Sequence, residues 1–232
     1  MFPTFGPSKF RSIKMDEKAN SLDEKFISML ERIREMFLEF GIKNLNMDEI
    51  SRKLGISKKT LYHYVDSKES LIEEIFRLEI LKWNLFTEQL SQQPLNAIEK
   101  LFEVSFRIHE EMKQINPMLM FELKKYYEPS FNEYLAQKRE FIHNKMRINL
   151  EQGISEGLYR PDINIELVLT LYVNYLVEMH NYDLAKASNI TFDQVFEIMI
   201  ENHIRAISTP EGVAYFENRK KEISDYLIKT NN

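Results

Sequence analysis

The sequence predicts an all-α protein, and three observations carry that prediction. Helix breakers are sparse: beyond the first 20 residues Gly stands only at 41, 55, 153, 157 and 212, and Pro only at 94, 117, 129, 161 and 210. Between them apolar residues recur at helical spacing, as in Phe26, Leu30, Ile33, Phe37 and Phe40, which form one stripe. No apolar/polar alternation meets an Asn-Gly or Asp-Gly turn, so hairpins have no signal.

Taken in order, residues 1–20 (Pro3, Gly6 and Pro7 ahead of Lys9, Arg11 and Lys14) lack periodicity and read as a disordered arm. A first helix is expected over 22–40, closed by Gly41, which adopts the left-handed conformation of a C′ residue without a Cβ clash. Two short helices follow at 47–54 and 58–64. Asn46 is placed to cap the first, and Met47, Ile50 and Leu54 form its inward face. Ser51 and Gly55 offer small side chains where the two helices must approach closely, and Gly55 supplies the sharp turn. Ser57 caps the second, Leu61 and Val65 anchor it from beneath, and Lys58, Lys59, Thr60, Tyr62 and His63 are left facing out.

Asp66 with Glu69 three residues later reads as a capping box that opens a long helix at 67–91. Further helices are expected at 95–115, 117–127, 130–153, 164–182, 191–208 and 212–229, with Pro94, Pro117 and Pro161 marking where one must stop and another can begin. The segment Gly157 to Asp162 reads as a structural turn in which Arg160 can bond helix carbonyls.

Composition removes several function classes. Hydrophobic residues make up 44% and charged residues 29%, an ordinary globular balance with ample material for a core. The net charge of −5 argues against a protein that coats nucleic acid along its whole surface. It leaves room for a local basic face, which is what a DNA binder needs. The absence of cysteine excludes disulfides, thiolate zinc sites and a Cys nucleophile. No apolar run is long enough for a membrane span or a signal peptide, so a cytoplasmic location is expected.

Such a basic face is present. Arg52, Lys53, Lys58, Lys59 and Lys68 crowd into 17 residues, opposed after position 51 only by Asp66. Short helix, glycine turn, short cationic helix and a fresh helix start form the layout that pushes one helix into a DNA major groove. Residues 22–72 resemble the N-terminal domain of TetR/AcrR-type transcriptional regulators. The matching run is Ile50-Ser51, then Gly55-Ile56-Ser57-Lys58-Lys59-Thr60-Leu61-Tyr62-His63-Tyr64-Val65-Asp66-Ser67-Lys68-Glu69-Ser70-Leu71. Ser51 stands where the family usually has Ala. Lys59 replaces a usual small residue and adds a cation at the groove. The resemblance implies that Tyr62 and Lys68 hold phosphates, which sets affinity and register, and that Lys58, Lys59, Thr60 and His63 lie nearest the bases. With Asn46 these make the expected DNA-binding set. Tyr64 falls where the family has a buried aromatic and is left out.

The same resemblance implies a division into the arm 1–20, a helix-turn-helix DNA-binding domain at 21–70, and a helical effector-binding and dimerisation domain at 71–232. Helix 191–208 carries a wide apolar stripe (Phe192, Val195, Phe196, Met199, Ile200, His203, Ile207). Helix 164–182 offers two, Leu167/Leu171/Tyr175 and Val168/Tyr172/Leu176. Two such helices per chain would build a four-helix seam across a twofold axis. Candidates for an effector pocket are Trp83, Phe102, Phe106, His109, Tyr126, His143, Tyr172, Tyr175 and Glu178, a mixture that suits a small, partly apolar ligand.

The expected function is therefore a ligand-responsive regulator, most simply a repressor, that binds a palindromic double-stranded operator as a homodimer. No cofactor and no metal are expected. Catalysis has little behind it: Glu140 and His143 match one Glu-x-x-His unit of a di-iron bundle, but His63, His109, His180 and His203 all lack the second. An all-helical protein-interaction module without specific DNA binding is the alternative from another class.

Overall fold

The structure is a computed structural model that describes residues 24–114, 117–178 and 192–230. The expected arm at 1–20 lies outside the described residues. Ten helices form among them: α1 Glu24–Phe40, α2 Met47–Leu54, α3 Lys58–Tyr64, α4 Lys68–Ser91 and α5 Ala97–Gln114, then α6 Pro117–Tyr126, α7 Glu128–Ser155, α8 Ile165–Glu178, α9 Phe192–Ile207 and α10 Pro210–Thr230. The one bridge of β type among the described residues is the isolated pair Tyr159 and Ser208. No described helix is long and apolar enough to cross a membrane.

Two starts fall earlier than expected. α7 begins at Glu128 with Pro129 inside its first turn, and α10 begins at Pro210 itself. Proline fits a first helical turn because its missing N–H has no intrahelical acceptor there. The cap of α4 also differs: Ser67 and Ser70 replace Asp66 and Glu69. The Ser70 amide donates to Ser67 Oγ at 3.0 Å and the Ser67 amide to Ser70 Oγ at 2.9 Å, a reciprocal pair built from two hydroxyls.

The chain divides into two compact units. Among described residues the first holds 24–86, 114 and 117–138, the second 87–113, 139–178 and 192–230. The first has its own core, in which Leu30, Ile33, Ile50, Leu61 and Leu71 are fully buried. Leu123 of α6 and Phe131 of α7 belong to the same cluster, so the body around α1–α4 reaches well beyond residue 70. Phe40, the last residue of the expected stripe, is exposed at 38%, and Lys53 Nζ lies 3.9 Å from its ring centroid.

The second unit is organised around Tyr159, which is fully buried. Its hydroxyl donates to Asn149 Oδ1 at 3.2 Å, and Asn149 Nδ2 donates to the Ala97 carbonyl at 2.8 Å. Its ring lies so close to Gly153 that a Cβ there would stand 2.0 Å from Tyr159 Cδ2. Arg160, as its place in the turn suggests, donates from Nη2 to the Ala206 carbonyl at 2.9 Å and from its amide to that of Ile207 at 2.8 Å. Phe196, Met199, Ile200, His203 and Ile207 of α9 are buried. Tyr172 packs on His203 with ring centroids 3.7 Å apart and donates its hydroxyl to the Met199 carbonyl at 3.0 Å.

Gly153→Ala should destabilise the protein by about 1–3 kcal/mol, because a fully buried ring has nowhere to move; denaturant unfolding read by far-UV circular dichroism checks this. A second expectation concerns acid. Burial pushes the His203 imidazole down to about 4, from about 6.5 in an unfolded chain. As pH falls below about 6.5 the unfolded chain takes up a proton that the folded chain refuses. The stability held by neutral His203 is therefore complete above that pH and is lost as pH drops toward about 4. Unfolding curves between those limits should show a loss on the order of 3 kcal/mol from this residue, and His203→Phe should flatten the slope.

Candidate nucleic-acid interface

A helix-turn-helix must expose one face of its second helix, and α3 does. Leu61 is its one buried residue, while Lys58, Lys59, Tyr62 and His63 are exposed and Thr60 is half-buried. Seven residues are too few to hold a helix unaided. Ser57 supplies the missing order: its Oγ accepts the Thr60 amide at 3.0 Å and pairs with Thr60 Oγ1 at 2.8 Å. The Thr60 hydroxyl expected near a base is thus engaged in the cap.

The preceding helix is fixed from both ends. Asn46 Oδ1 accepts the amides of Asp48 at 3.0 Å and Glu49 at 2.9 Å, and Glu49 Oε2 accepts the Asn46 amide at 2.8 Å, a complete capping box. Gly55 ends α2 with φ of 72°. A Cβ on Gly55 would meet nothing within 4 Å, so the backbone conformation demands glycine there and close helix approach does not. Ser51 is buried, with its hydroxyl donating to the Asp48 carbonyl at 3.0 Å.

Charges on this face are partly paired. Lys58 Nζ lies 2.6 Å from Asp48 Oδ1, and that hydrogen bond and the carboxylate's charge hold the ammonium above its ordinary pKa. Both partners are more than half exposed, so the pair is worth little in water and can open for a phosphate. Lys59 and His63 stand in solvent, with His63 edge-on to Tyr64 at 5.5 Å. Tyr64 is half-buried and stacks on Phe26 at 4.8 Å, turned to the core side of the motif.

Lys68 is placed differently from a simple phosphate contact. Its Nζ donates to the Ile42 carbonyl in the turn between α1 and α2. Burial lowers its pKa, opposed by the nearby carboxylates of Glu122 and Glu49. Glu122 escaped the sequence reading; its one local signal is an acid set between Phe121 and Leu123.

The expected effector residues fall into both units. Trp83 is half-buried in the first, edge-on to Phe86 at 5.7 Å. Tyr126, also in the first, is 45% exposed and has Lys43 Nζ 5.5 Å from its ring centroid, so it stands at the surface. In the second unit Phe102 stacks on Phe216 at 5.5 Å as core, Phe106 is half-buried and His109 is buried. His143 Nε2 lies 3.8 Å from Glu166 Oε2, a carboxylate shared with Arg147. Tyr172 packs inward on His203, whereas Tyr175 is 43% exposed on the neighbouring flank of α8. The Glu178 side chain lies outside the described residues.

Fold and surface together define a helix-turn-helix DNA-binding protein. Residues 29–75 match the family described as bacterial regulatory proteins, tetR family. The HTH-type transcriptional repressor KstR2 of Mycobacterium tuberculosis is 29% identical over 160 residues, covering 66% of this chain and 78% of the relative. The regulator UidR of Escherichia coli is 27% identical over 203 residues, covering 80% and 96%. A TetR-family regulator from Agrobacterium tumefaciens shares the fold, with a TM-score of 0.59 at 16% identity over 78% of this chain and 96% of that one. Residues 29–75 thus carry a tetR-family DNA-binding domain, and the chain is a DNA-binding regulator whose relatives are named as transcriptional regulators.

Lys59→Ala and His63→Ala should change which duplexes are preferred, each costing about 1–3 kcal/mol more on a selected duplex than on a scrambled one. Competition binding at fixed salt measures the difference, and equal losses on both would remove these residues from base reading.

Proposed function

We propose that the chain is a ligand-responsive repressor that binds a palindromic operator as a homodimer and leaves it when a small, partly apolar effector binds. The observation that carries the DNA half is α3 itself, held by one buried leucine and presenting Lys58, Lys59, Tyr62 and His63 to solvent. Two such helices related by a twofold axis would enter successive major grooves about 34–36 Å apart. The protein would act in the cytoplasm, where its operator lies.

The dimer reading is supported by α8. Its inner residues Val168, Tyr172 and Leu176 pack on the second unit's core, while Leu167, Leu171 and Tyr175 are 58%, 68% and 43% exposed. Ile198 on α9 is 61% exposed. Apolar side chains this open and this regularly spaced suit a self-complementary seam. Tyr175 is accordingly assigned to the seam, and Phe106, His109 and His143 remain as effector contacts. The effector favours a conformation with another head spacing, and operator affinity falls by the ratio of its affinities for the two states.

Fragments recovered from genomic DNA by the purified protein should contain an inverted repeat and bind with steep salt dependence. Failure to enrich any sequence at low ionic strength would sink the reading. Leu171→Arg should shift the protein toward monomer in sedimentation analysis and weaken the palindrome far more than a single half-site. Trp83, the single tryptophan, gives a fluorescence readout for effector screening.

A further inference from the structure

Glu122 is a buried carboxylate that the reading above does not use. It stands on α6 at 7% exposure. One oxygen, Oε2, accepts two successive backbone amides, Ile42 at 2.7 Å and Lys43 at 3.1 Å. Both lie just beyond α1, where the chain leaves the helix through Gly41 at φ of 79°. Successive N–H groups beside a left-handed residue make a concavity that accepts an anion. A Cβ at position 41 would stand 3.2 Å from Glu122 Oε2, so glycine supplies both the backbone conformation and the clearance. The carbonyl of Ile42 is taken by Lys68 Nζ. Residue 42 is thus held at its N–H by α6 and at its C=O by the first residue of α4. Asn46, four residues on, caps α2.

An apolar side chain could fill this volume without the cost of desolvating a carboxylate. What it could not supply is direction: two amides and one oxygen fix the turn in a single geometry. We propose that Glu122 is a positioning residue for DNA reading, whose carboxylate sets the 41–45 turn so that α2 and α3 present Lys59 and His63 in one orientation. This rests on the DNA-binding reading above. Attraction to phosphates tolerates a loosely oriented head, whereas base-edge contacts do not. Loss of Glu122 therefore appears in discrimination more than in affinity for DNA at large.

The test uses the full chain, a duplex that the wild-type protein selects from random-sequence DNA, and a scrambled duplex of equal length. Glu122→Ala should lower the selected-to-scrambled affinity ratio at least about tenfold while moving scrambled affinity less than about threefold. Hydrogen exchange at the Ile42 and Lys43 amides should quicken in the same variant. Glu122→Gln keeps one oxygen for both amides and should restore the ratio and the protection. Where Glu122→Ala does not fold, Glu122→Asp, which withdraws the carboxylate by one methylene, must lower the ratio instead. An unchanged ratio despite faster exchange, or equal losses on both duplexes, would overturn the proposal and leave the DNA reading intact. A wild-type protein that selects no duplex would overturn both.

Discussion

A reading helix has to be exposed, and exposure removes the burial that would hold it. α3 has seven residues, one of them buried, and a full Leu burial contributes only about 1.5–3 kcal/mol. Helix formation at that length is unfavourable in isolation. Its order is therefore imported. Leu61 is fully buried in a cluster with Leu30 and Ile33 of α1, Ile50 of α2 and Leu71 of α4, and the caps at Asn46, Ser57 and Ser67 set the three helix starts around it. The exposed side chains of α3 thus depend on a core and on caps that lie mostly outside α3.

This division explains what the sequence made legible. Caps, stripes and turn glycines act over three or four residues, so Asn46, Ser57, Gly41 and Gly55 could be read directly, as could the cationic face that α3 exposes. The start of α4 shows the limit of local reading: Asp66 and Ser67 are neighbours and both can cap, and only the backbone conformation chooses Ser67 with Ser70. At Gly55 one of the two expected reasons holds: the turn demands its φ, whereas open space surrounds it and close helix approach makes no demand.

Contacts between distant residues were not legible. Glu122 and Ile42 are 80 positions apart, and nothing near either announces the other. Lys68 shows the consequence, since a motif position associated with phosphate binding here donates to a backbone carbonyl 26 positions earlier. The aromatic candidates met partners that were illegible for the same reason. Phe102 finds Phe216, and Tyr126 finds Lys43, so one is core and the other surface. An aromatic at helical spacing says that something will be covered, not what covers it.

α8 turns that ambiguity into an argument. Tyr172 and Tyr175 are three residues apart, a separation that puts side chains on neighbouring flanks of a helix, and the sequence offered both flanks as apolar stripes. A helix apolar on two flanks needs cover on both. The second unit's own core takes Val168, Tyr172 and Leu176, and Tyr172 is fastened there by a hydrogen bond to the Met199 carbonyl. Leu167, Leu171 and Tyr175 stay in solvent. A row of such side chains invites association, and a copy of the same helix across a twofold axis presents a row of matching length and chemistry. The unsatisfied flank is thus the physical reason to seek the seam on α8.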